Sequence, residues 1–181
     1  MTTSPANSNT QPADSGTTMD RFDALPAEAA ERELRACCAS ATWVRAVVNG
    51  RPYRDLDAVL DASAAAFAEL TDADVDEALA AHPRIGERAA GNSREAAWSR
   101  QEQSGAADAD ANTTAALAAG NRAYEERFDR VFLICATGLS AAQLLAELEA
   151  RLGNDEATER AVIRTELAKI AALRLERMLG G

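Results

Sequence analysis

The chain has 181 residues and a formal net charge of −10, with 47% apolar residues but only 4% aromatics. That length suits one domain able to bury a core without staples, and the acidic balance argues against nucleic acid or an anionic membrane as the main partner. Cys37, Cys38 and Cys135 show no CxxC or His-rich spacing, which argues against a disulfide framework and a zinc site and fits a reduced, cytoplasmic protein.

Residues 1–18 are polar and poor in large apolar side chains, so a disordered N-terminal tail is expected there. No signal peptide and no membrane-spanning run is legible. The fold is expected to begin near Phe22, with a single compact multi-helix domain over 19–181. Pro26 suits the first turn of a helix running to about Cys38, because its missing N–H costs nothing there. A short helix follows over Ala41 to Val48, stopped by Asn49-Gly50. Asp55 or Asp57 opens a helix to about Leu70, and Thr71 to Asp74 read as a cap for the next, Val75 to Ala81. His82-Pro83 breaks that pattern, because proline disfavours α conformation at the residue before it. Ser93 caps a helix from Arg94 to about Ser104, with Gly105 as its stop, and a longer helix covers Asp110 to Arg127. Val131 to Cys135 is a short apolar run, and the segment 131–137 is expected to be extended and to face a pocket. Ser140 and Gln143 make a capping box for a helix to Leu152, ended by Gly153. A final helix runs from about Glu156 to Leu179. The Ala-, Leu-, Glu- and Arg-rich composition supports helix throughout. No internal repeat and no strand pair is present, so the expected fold is all-α.

Three places carry candidate chemistry. His82 is the only histidine, and imidazole is the side chain whose ordinary pKa lies near neutrality. Its alternative role is a structural histidine favoured by a helix C-terminus. Ser99, Glu102 and Gln103 lie three and four residues apart, on one helical face. They offer a hydroxyl, a carboxylate and an amide to a heterocycle rich in N–H and C=O groups, or else form a solvated polar face. Arg174 lies on an apolar stripe with Ile163, Leu167, Ile170 and Met178, at about 100° per residue. A buried arginine must be paired. Its planar fork suits either an internal carboxylate or the carboxylate of a ligand.

AHPRIGE at 81–87 and SRQEQSG at 99–105 resemble the 2-oxo-4-hydroxy-4-carboxy-5-ureidoimidazoline (OHCU) decarboxylase family. LRACCASATWV, NGRPY, NRAYEERFDRVFLICATGLS, RLGND and ELAKIAALRLERML extend the resemblance over nearly everything after residue 20. Leu139, where relatives often carry a basic residue, and Val75, in place of a larger aromatic, depart from the pattern. The resemblance implies an all-α homodimer that decarboxylates OHCU to (S)-allantoin in urate breakdown, with neither metal nor organic cofactor. It places the catalytic pair on His82 and Glu102. Substrate contacts fall on Pro83, Ser99, Gln103, the backbone of Ile134, Cys135, Ala136, Thr137 and Gly138, and Arg174. The substrate is a small anionic ureidoimidazoline, so the site must supply local positive charge against an acidic whole. Two other readings stand beside this one. One is a different cofactor-free lyase or tautomerase for a small ureide, which freshly generated OHCU would distinguish. The other is a non-catalytic helical interaction domain, against which the retained His82, Glu102 and Gln103 speak.

Overall fold

A computed structural model describes residues 17–87, 90–107 and 109–180. The described residues form helices and no strand: α1 (Thr18–Ala24), α2 (Ala27–Arg35), α3 (Ala41–Asn49), α4 (Leu56–Glu69), α5 (Asp72–Ala80), α6 (Arg94–Glu102), α7 (Ser104–Ala107), α8 (Ala111–Phe128), α9 (Ala141–Arg151) and α10 (Glu156–Leu179). The all-α expectation is met. Most of the expected tail, residues 1–16, lies outside the described residues. Its last two residues belong to the fold instead: Thr17 caps α1 through a capping box with Asp20, and Thr18 opens the helix. The chain therefore enters the fold ahead of Phe22, which is buried. A second correction concerns α2, which ends at Arg35 rather than Cys38. A third is the short α7, which continues past Gly105 where a stop was expected.

Local signals explain most of the boundaries. Thr71 and Ser140 each form a reciprocal capping box, with Asp74 and Gln143 respectively. Ser40, Asp55, Ser93, Asp110 and Asp155 cap their helices with side-chain oxygens. Such caps satisfy amides that the first turn otherwise leaves bare.

Two hydrophobic cores form. The first gathers α1 to α5 around α10, with Trp43, Val44, Val47, Val59, Ile163 and Leu175 almost fully enclosed. The Trp43 indole N–H donates to Ser63 Oγ at 3.1 Å, so the largest buried ring carries no orphan donor. The second core packs α8 on α9 through Leu117, Tyr124, Phe128, Leu144 and Leu148.

The segment 131–136 runs between the two cores. Val131, Leu133 and Cys135 pack on the first, while Phe132, Ile134 and Ala136 pack into the second. A period of two is the signature of extended backbone, and it lets one unpaired segment join two cores. Side chains take the place of a partner strand. Arg151 Nη1 donates to the Leu133 carbonyl at 2.6 Å, and the Cys135 N–H donates to Glu166 Oε2 at 2.8 Å. Arg151 is itself anchored by the fully buried Glu159, which also accepts from Tyr124 and from Asn154 Nδ2. The segment ends in a turn in which the Leu139 N–H donates to the Ala136 carbonyl and Gly138 has φ of +81°. Glycine suits the third position of such a turn because a side chain there would be strained.

Candidate active site

α5 delivers His82. The helix stops at Ala81, the His82 N–H donates to the Leu79 carbonyl at 3.0 Å, and Pro83 prevents continuation. His82 is half-buried, and neither ring nitrogen has a hydrogen-bond partner among the described residues. Burial, and secondarily the Arg174 cation, push its pKa from the ordinary 6.5 down to about 3. The imidazole is therefore neutral near pH 7, able to accept a proton at one nitrogen while presenting N–H at the other.

α6 delivers Ser99 and Glu102, both buried on its inner face. Gln103 departs from the expected shared face. It is the C-cap, with φ −92° and ψ 13°, and its Oε1 accepts from the Gly86 N–H at 3.1 Å. It thereby ties the end of α6 to the loop that follows His82. Asn121 on α8 supports the same loop by donating to the Ile85 carbonyl at 2.8 Å.

Of the two partners open to Arg174, the structure shows the internal carboxylate, and that carboxylate belongs to Glu102. Arg174 Nε donates to Glu102 Oε1 at 2.9 Å and Nη2 to Oε2 at 2.8 Å, a two-pronged pair buried on both sides. Further donations go to Ser99 Oγ at 3.1 Å and to the Ala36 carbonyl at 3.2 Å. Arg177, one turn on, adds a third bond to Glu102 Oε1 at 3.1 Å. Sequence reasoning missed Arg177. It lies three residues beyond Arg174, on a neighbouring part of the same helix face.

His82, Pro83, Ser99, Glu102, Gln103, Ile134, Cys135, Ala136 and Thr137 line one cavity, joined by Ile85, Leu133 and Ile170. Its volume is about 20 Å³. Gly138 falls outside it and lines an adjoining, larger groove with Ser104, Gly105 and Ser140. Arg174 does not line the cavity either; it stands behind Glu102 and Ser99. Cys135 lines the cavity, and its thiol pKa is raised, by burial first and by Glu166 next, so it stays protonated. Cys37 and Cys38 lie buried in the first core. Burial pushes their thiols up to about 12 and about 11, which leaves them little nucleophilic character. Among the described residues no group of three metal-ligating side chains converges, and no helix is long and apolar enough to cross a membrane.

A neutral histidine, an arginine-held carboxylate, a serine and a glutamine around a small cavity place groups able to accept and donate protons together, in an all-helical frame. Comparison with known proteins makes that class specific. The OHCU decarboxylase family model matches residues 23–176, and the chain belongs to that family. It is 35% identical to a 2-oxo-4-hydroxy-4-carboxy-5-ureidoimidazoline decarboxylase of Amia calva, over 72% of this chain and 76% of that protein. It is 32% identical to the uric acid degradation bifunctional protein TTL of Arabidopsis thaliana, over 83% of this chain but only 48% of that longer protein. Among solved structures, an OHCU decarboxylase crystallised in the presence of (S)-allantoin superposes with a TM-score of 0.71 and 27% identity, covering 82% of this chain and 98% of that one. An (S)-allantoin synthase structure, at TM-score 0.69 and 18% identity, shares the fold over 91% of this chain and 54% of its own.

Proposed function

We propose that this chain decarboxylates OHCU to (S)-allantoin in urate breakdown, without metal or organic cofactor, as a cytoplasmic homodimer. One observation carries the reaction: His82, Ser99, Glu102 and Gln103 meet at a single cavity, against the backbone of residues 134–137, in a chain of this family. The dimer, the compartment and the absence of a cofactor rest on the sequence resemblance and composition.

The chemistry suits that set of groups. The bond from the ring to the carboxylate breaks, and its electron pair forms a double bond to the neighbouring ring carbon. The C=N pair of that carbon moves onto nitrogen, which takes the one net proton the reaction consumes from solvent, so the substrate supplies its own electron sink. The resulting enol then gives up its hydroxyl proton and receives one on carbon. Neutral His82 accepts the hydroxyl proton. Buried near Arg174, the imidazolium so formed is a strong acid and returns a proton to carbon readily. A donor fixed at the end of α5 reaches one face of the ring, which sets the handedness of the product. Glu102, held by two guanidiniums, is an oriented acceptor for the substrate's N–H or O–H groups. Ser99 and the Gln103 amide complete the grip.

The test is to add the protein to freshly generated OHCU, with EDTA throughout, and follow circular dichroism. Accumulation of one allantoin enantiomer is expected. Racemic product at the spontaneous rate would overturn the proposal.

A further inference from the structure

We propose that Glu166 is a positioning residue, which fixes the 133–135 backbone so that Ile134 presents its own N–H and C=O to the substrate. The inference rests on the function proposed above and adds a specificity element to that site.

In extended backbone, residues two apart turn their amide groups to the same edge, and the residue between them turns its groups to the other. Leu133 and Cys135 each give one backbone group to a helix side chain on their edge, the Leu133 carbonyl to Arg151 and the Cys135 N–H to Glu166. Ile134 is left free. It is 7% exposed, lines the cavity, and has no hydrogen bond to any described residue. Backbone groups this enclosed are normally paired. A free donor and a free acceptor on one residue complement a molecule bearing N–H beside C=O, as a urea or lactam does. Glu166 fixes which edge faces the site. Its carboxylate is 8% exposed as a residue, accepts the Cys135 N–H through Oε2, and holds Lys169 Nζ through Oε1 at 2.6 Å. Glu166 does not line the cavity, so it acts through Cys135.

The experiment uses three variants of the full chain. Glu166→Ala removes the acceptor, Glu166→Gln keeps a carbonyl acceptor in place, and Lys169→Gln removes only the exposed partner. Two readouts are taken: steady-state kinetics with OHCU, and amide exchange at Cys135 by NMR. Glu166→Ala is expected to raise KM about tenfold with kcat within about threefold, as loss of binding shared by ground and transition states does. Its Cys135 amide should lose protection. Glu166→Gln and Lys169→Gln should stay within about twofold of the parent in KM and retain protection. Unchanged KM in Glu166→Ala overturns the proposal. So does a loss in Glu166→Gln equal to that in Glu166→Ala, since a rescued acceptor must rescue binding. If the parent protein does not act on OHCU, the functional reading falls. The exchange readout then still decides whether Glu166 holds Cys135, and unaltered exchange in Glu166→Ala overturns the clamp.

Discussion

Replacing Arg174 by methionine keeps the stem and removes the fork. In the structure the change strips Glu102 of two of its three hydrogen bonds and leaves the Ala36 carbonyl and Ser99 Oγ without their guanidinium donor. Side-chain exposure is 5% for Arg174 and 9% for Glu102, so water cannot readily replace the lost partner. Removing one member of such a buried pair costs about 3–5 kcal/mol. Arg177 still reaches Glu102 Oε1 at 3.1 Å, which places the loss at the low end, about 3 kcal/mol. For a chain of this size that is a drop in Tm of roughly 6–12 °C. Neutralising the orphan as well, in Glu102→Gln with Arg174→Met, should recover part of the loss, and a thermal double-mutant cycle should give a coupling of about 1–3 kcal/mol. Because Arg174 stands behind the carboxylate proposed to act in catalysis, kcat should fall by about tenfold or more while KM changes little. A variant that melts with the parent protein yet shows KM raised tenfold would refute this reasoning and place Arg174 on the substrate.

His82→Gln should lower the decarboxylation rate by about 10² or more. It should also change acid stability: the folded His82 pKa of about 3 lies below the unfolded 6.5, so across that window the unfolded chain binds a proton the folded chain refuses. The His82 contribution is therefore complete above pH 6.5 and lost as pH falls, with a slope approaching about 1.4 kcal/mol per pH unit. Denaturant melts from pH 7 to 5 should show the parent-minus-variant stability shrinking, and a constant difference would mean the ring is not buried neutral. Gly105→Ala would bring a Cβ to 2.0 Å from the Leu139 carbonyl oxygen. The resulting backbone shift should destabilise by about 1–3 kcal/mol in thermal melts, and a neutral result would show that the two backbones can part without cost.

Elements with a cap and a stop were legible in the sequence. The Ser140 and Gln143 capping box and the bounds of α10 came from local chemistry alone, and the structure keeps them. α1 was missed although Thr17 and Asp20 carry a capping signal, because a short helix beside Pro26 offers little periodicity to read. His82, Glu102 and the apolar run after Val131 were found, but their mutual placement required the fold. The identity of the Arg174 partner was a long-range fact, with 72 residues separating it from Glu102. Glu159 and Glu166 left a usable clue. Both lie on the face of α10 that carries Ile163, Leu167 and Ile170, and a carboxylate on an apolar face needs a partner just as an arginine there does. Their partners, Arg151 and the Cys135 amide, lie on other parts of the chain and are not visible from periodicity.

The cavity beside His82 holds about 20 Å³, room for roughly one water. Its walls therefore leave little space for bulk water beside the imidazole. The Gln103–Gly86 bond ties the end of α6, which lines that cavity, to the loop after His82. One neutral hydrogen bond contributes on the order of 1 kcal/mol. For the reaction proposed above, a narrow site keeps bulk water from an enol that would otherwise be protonated on either face. Under that proposal, the handedness of the product depends as much on the exclusion of water as on where the histidine points.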